Sequence, residues 1–157
     1  MRVWLLILFA IPCMPAVALA AVTQDELAPV KFGNLVVTDP PPQTIVLEPD
    51  GDETVSAGIT KFTDGQPGIA LLGGFSAGAA VNVALVTPVT VQIEKSGGAN
   101  FDISDFTFDD PGGNYTADGS GNVRMLIGAT LTTNTAAADY VDGAYQNSFT
   151  LDLMVNY

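Results

Sequence analysis

Carboxylates are the only side chains in this sequence numerous enough to suggest chemistry. The chain has 17 Asp and Glu, five Lys and Arg, and no His. Its only Cys, Cys13, and its only Trp, Trp4, both fall in the first twenty residues. The residues that follow therefore hold no thiol nucleophile, no thiolate or imidazole metal ligand, and no Ser-His or Cys-His pair. Asp102, Asp105, Asp109 and Asp110 cluster in sequence. Paired carboxylates hydrolyse glycosides when a cleft holds them at a set separation. In a strand and turn such residues more often point into solvent, so no catalytic residue is assigned and the chain is not expected to be an enzyme. Asp118-Gly-Ser-Gly-Asn122 and Asp50-Gly-Asp52-Glu53 place oxygens at alternating positions, as calcium loops do. Neither has the downstream carboxylate that would complete the set, and Asp-Gly is a common turn pair. Turns are the stronger reading and calcium the alternative; no metal or cofactor is expected. Phe101, Phe106 and Phe108 form either a carbohydrate platform or part of the core, and the core is favoured. Asn114-Tyr-Thr116 matches a glycosylation sequon and is given no role.

The chain opens Met1-Arg2, runs uncharged from Val3 to Ile11, passes Pro12 and Pro15, and reaches Ala18-Leu19-Ala20. One positive charge, a short apolar stretch and an Ala-x-Ala site describe a secretory signal peptide, residues 1–20, cleaved after Ala20. A membrane-spanning helix needs about 20 apolar residues without prolines. Pro12 stands before Cys13 where a lipoprotein site needs a small residue. Residues 21–157 then suit one domain. They carry four basic residues (Lys31, Lys61, Lys95, Arg124) against 17 acidic ones, a net charge of −13. Such a surface repels nucleic acid and anionic lipid, so neither nucleic-acid binding nor membrane insertion after signal cleavage is expected. Its simplest use is solubility outside the cell. With Cys13 removed, no disulfide can form.

The elements that would position these residues read as short strands. Residues 21–31 are a polar lead-in. Phe32–Thr38 and Thr44–Glu48 are strands separated by Pro40-Pro-Pro42. Pro49-Asp-Gly-Asp52 is a turn, and 54–60 a weak strand. Ile69–Leu72 begins the next, broken at Gly73-Gly74. Val81, Val83 and Leu85 alternate with small or polar residues, as do Val89, Val91 and Ile93. Phe101 and Ile103 share one parity while Phe106 and Phe108 have the other, which predicts a bulge or break near Asp105. Turns surround Tyr115. Val123, Met125, Ile127, Ala129 and Leu131 then line one face of a long strand. Eight or nine strands, turn signals about every 8–12 residues and no useful helical period predict an all-β, antiparallel sandwich.

The chain closes on Tyr145-Gln-Asn-Ser-Phe-Thr-Leu-Asp-Leu-Met-Val-Asn-Tyr157. Tyr145, Phe149, Leu151, Leu153, Val155 and Tyr157 share one parity, interrupted only by Asn147. The alternation predicts a strand launched by Gly143 and central to the core, each buried side chain contributing about 1.5–3 kcal/mol.

Several of these stretches together resemble the secreted bacterial family called domain of unknown function 4402. They are Phe32-Gly33, the Asp50-Gly51 turn, Gly73 followed by Val81–Leu85, Ile127–Leu131, and Gly143 through Val155-Asn-Tyr157. The ending also resembles, more distantly, subunits of chaperone–usher pili and of the spore coat protein U type. These carry a glycine about fourteen residues before an alternating terminal strand that closes on an aromatic, the spacing of Gly143 and Tyr157. The resemblance implies an immunoglobulin-like, pilin-like sandwich and assembly at the cell surface. It also implies partners, a periplasmic chaperone and like subunits, that engage by strand addition.

The functional expectation is a secreted, non-enzymatic structural or adhesive surface protein of the periplasm or cell surface. Gly143, Tyr145, Phe149, Leu151, Leu153, Val155 and Tyr157 are its assembly residues. The alternative is a monomeric extracellular module that binds carbohydrate or calcium through loops 109–122. A hydrolase using carboxylates alone ranks last.

Overall fold

The structure is a computed structural model. It describes residues 21–86, 90–95, 98–134, 140–146 and 151–157. The expected signal peptide and Phe149 lie outside the described residues.

Every described element is a strand, and every pairing is antiparallel. In chain order they are β1 (Thr23–Ala28), β2 (Leu35–Val37), β3 (Thr44–Leu47), β4 (Glu53–Val55), β5 (Ile59–Lys61) and β6 (Gly68–Gly73). Then come β7 (Ala80–Leu85), β8 (Val91–Ile93), β9 (Phe101–Phe108), β10 (Asn114–Thr116), β11 (Val123–Thr133) and β12 (Leu153–Asn156). A curled seven-stranded sheet runs β1-β6-β11-β3-β4, with β9 on the other flank of β11 and β8 on β9. A three-stranded sheet runs β10-β7-β12, and β2 pairs with β5 in a two-stranded ribbon. The all-β sandwich expected from the sequence is the fold observed.

β11 is the spine. Its first half pairs with β6 and its second half with β3, while β9 follows most of its other flank. Val123, Met125, Ile127, Ala129, Leu131 and Thr133 are all buried, the period of two set by the pleat. Val81 and Val83 of β7 face this row from the small sheet and join the same core. The parity change in β9 is a bulge. Its register against β11 slips between Gly128 and Thr130, and Asp105 takes a left-handed φ of 49°. That extra residue lets Phe101, Ile103 and Phe106 all enter the core.

Three stretches depart from the sequence reading. The polar lead-in is β1, whose side chains Thr23–Leu27 are all exposed and which is held by backbone pairing to β6. Between its two turns Tyr115 lies in a short strand, β10, that the sequence did not announce. The weak strand over 54–60 is two strands, β4 and β5, divided at Ser56–Gly58.

The carboxyl end differs more. Residues 143–145 lie in no strand, and among the described residues the terminal strand, β12, sits at the edge of its sheet and not at its centre. Gln146 bridges Glu94 beside β8, in the large sheet, whereas Leu153–Asn156 pairs with β7 in the small one. Gln146 and Leu153–Asn156 thus pair with different sheets. β12 has only β7 as a partner among the described residues. An alternating row reports which face is apolar and says nothing about how many neighbours a strand has.

Candidate functional site: the terminal strand edge

Leu151 is 8% exposed and belongs to the core. Leu153 and Val155 are half-buried, and Tyr157 is 60% exposed with its ring edge-on to buried Phe75 at 5.2 Å. Burial therefore fades along the row toward the terminus. Val83, which pairs with Val155, is by contrast 2% exposed.

Backbone direction follows from the register. Val86 N–H donates to Asp152 C=O at 3.0 Å. Alternate residues of a strand turn their N–H and C=O to opposite sides. Asp152, Met154 and Asn156 thus aim at β7, and Leu153 and Val155 present theirs to the open edge. Among the described residues, those with half-covered inward side chains are the same ones whose backbone has no partner strand. An extended segment laid along β12 would satisfy both.

Gly143 and Tyr145 do not join this site. Tyr145 stands edge-on to Phe101 with centroids 5.0 Å apart, and Tyr140 lies against the same ring at 4.4 Å. The Tyr145 hydroxyl accepts from Val141 N–H at 2.9 Å and donates to Val141 C=O at 3.0 Å. Gly143 has φ 137°, where an L side chain is strained. A Cβ there would also crowd the Lys95 side chain, which donates to the Asp142 carbonyl. Gly143 and Tyr145 thus pin the chain beside β8 before it crosses to β12.

The carboxylates singled out in the sequence take internal donors. Asp110 Oδ1 accepts from the N–H of Gly112 at 2.8 Å and of Asn114 at 3.2 Å. Asp118 Oδ1 accepts from Ser120 and Asn122 in the same pattern. Asp109 accepts from the Tyr115 hydroxyl at 2.8 Å and from Leu126 N–H at 3.1 Å. Burial, joined by that bond to Asp109, raises the Tyr115 pKa well above the ordinary phenol value. Asp50 caps Asp52 N–H, Asp102 holds Gln92 and Asn134, and Asp105 bonds Ser104. Each loop carboxylate organises its own turn, as short Asx motifs do. Among the described residues no three carboxylates are grouped to hold a metal ion. Phe101 and Phe106 are core, and Phe108 is half-buried.

Residues 21–157 match the family described as Domain of unknown function (DUF4402). The chain belongs to that family. No curated protein and no solved structure matches it. Membership covers the whole sandwich, from the residue before β1's lead to the terminal Tyr157.

Proposed function

We propose that this member of the family is a secreted, non-enzymatic structural or adhesive surface protein, a pilin-like subunit that assembles by strand pairing at β12. One observation carries the reading. The terminal strand lies at a sheet edge, and its inward row is sealed at Leu151 and progressively uncovered through Leu153, Val155 and Tyr157. A long-lived open edge with apolar side chains is an aggregation hazard unless a partner covers it. A periplasmic chaperone and then a like subunit are the partners proposed, each supplying an extended segment. Phe149 stays part of the proposal on its parity alone.

The test is Val155→Pro in the mature protein. Proline has no N–H, and at 155 that donor faces the open edge and takes no part in pairing with β7. The variant is expected to melt cooperatively, within about 1–2 kcal/mol of wild type, and to lose the higher species seen by sedimentation and electron microscopy. A wild-type protein that stays strictly monomeric at high concentration would refute the reading. So would a Val155→Pro variant that assembles unchanged.

A further inference from the structure

A second opening lies on the far flank of β7, away from β12. β10 accompanies β7 only from Ala80 to Asn82, and β8 accompanies β9 only from Phe101 to Ile103. Beyond those points the two strands flank a cleft of about 420 Å³, walled by Val83, Leu85, Phe106, Phe108 and Pro111. Small-ligand sites range over about 300–1,000 Å³ and are mostly apolar with a few placed polar groups.

The loop wall is fixed. Val83 N–H donates to Gly113 C=O at 2.8 Å, and a Cβ on Gly113 would stand 1.9 Å from Val83 O, so only glycine fits there. Two polar residues also line the opening, Glu48 and Thr107, both exposed. Neither side chain is hydrogen-bonded or ion-paired among the described residues. Among the described residues Glu48 is the only ionisable one lining the cleft, in a chain of net charge −12. Anions are repelled from such a place and cations drawn to it.

We propose that this cleft binds a primary ammonium group carried on a ring-sized body with an apolar face, the ammonium meeting Glu48 and the ring lying among Leu85, Phe108 and Pro111. Amino sugars and aromatic amines share that chemistry. The site is independent of strand addition at β12, which uses the opposite flank of β7.

Backbone amide NMR of the mature protein tests it, with glucosamine and phenethylamine as probes and N-acetylglucosamine and phenylacetate as controls. Saturable millimolar shifts are expected at Thr107, Phe108, Gly112 and Gly113 with an amine and not with the controls. Glu48→Gln, an exposed substitution, is expected to weaken binding by roughly 3–5-fold, the scale of an exposed ion pair. Binding of glucosamine alone would identify the amino-sugar source, and of phenethylamine alone the aromatic one; both would support the shared chemistry. The proposal is overturned if neither amine moves those amides, if phenylacetate moves them equally, or if Glu48→Gln leaves the affinity unchanged.

Discussion

Truncating the terminal row residue by residue should give a graded series in the free protein and a different series in the assembly. Leu151 is 8% exposed, so Leu151→Ala removes a core side chain and should cost about 2–4 kcal/mol. Leu153 is half-buried, and its truncation should cost about 1–2 kcal/mol, half the range for a fully buried leucine. Val155→Ala loses two half-covered methyl groups, worth about 0.5–1 kcal/mol. Tyr157→Ala loses mainly its edge contact with Phe75, again about 0.5–1.5 kcal/mol. Urea melts of monomer should rank the costs in that order. Covering the edge would bury what remains exposed at Val155 and Tyr157. Measured as dissociation of assembled protein, these two should then be the costly positions, each weakening assembly by about tenfold or more. Leu151→Ala should act there only through the fold. Equal costs along the row in the monomer, or an assembly indifferent to Val155 and Tyr157, would refute the reasoning.

Three further outcomes follow from single contacts. Glu53 holds both Lys61 and the Gly65 N–H, with the ion pair's side chains each 11% exposed, so Glu53→Ala should cost about 3–5 kcal/mol by stranding a largely buried cation, read by chemical denaturation. Asp105 is an exposed bulge residue at φ 49°, so Asp105→Gly should raise stability by up to about 1 kcal/mol while Asp105→Val lowers it, read in the same assay. The folded Tyr115 phenol has a raised pKa, so its share of stability is fully present below the unfolded value of about 10 and is lost as pH rises from there toward the folded value. Ultraviolet titration should accordingly show the Tyr115 phenol un-ionised above pH 10 until unfolding, and Tyr115→Phe should remove that late-ionising group and flatten the stability loss.

Much of the scaffold was readable because the pleat writes itself into the sequence. β11 keeps an apolar residue at every second position from Val123 to Leu131, and each is buried; polar Thr132 and Thr133 read as loop, yet they extend the strand. The β9 bulge was readable from a parity change between Ile103 and Phe106, since only an inserted residue returns both to one face. β1 was not readable, because its side chains are solvated and its strand geometry is imposed by the edge of β6. β10 is three residues long and too short to show a period. The carboxyl end misled because Tyr145 shares parity with Leu151 and Val155 while packing on Phe101 in the other sheet. Asn147 broke the apolar row, yet one polar residue in an alternating row does not by itself mark a change of sheet. The cleft beside Phe108 left no trace in sequence. It exists because β8 and β10 stop short, and strand ends are the least legible feature of a pattern.

Register parity on β12 also separates edge pairing from the other way two sandwiches meet, face to face. Met154 is 53% exposed on the outer face of the small sheet, and its backbone is already committed to Ala84. Beside it runs a row of asparagines in register across three strands, Asn114, Asn82 and Asn156, with Asn82 Nδ2 donating to Asn114 Oδ1 at 3.1 Å. If subunits stacked through this face, Met154→Lys would disrupt assembly and Val155→Pro would not. If they pair along the edge, the reverse holds, because Val155 offers the outward N–H and Met154 offers only a side chain that an added strand does not cover. Both substitutions should leave the monomer within about 1–2 kcal/mol of wild type, since neither removes a core side chain or a β7 hydrogen bond. Edge pairing therefore requires one pattern from the pair: assembly lost with proline at 155 and kept with lysine at 154.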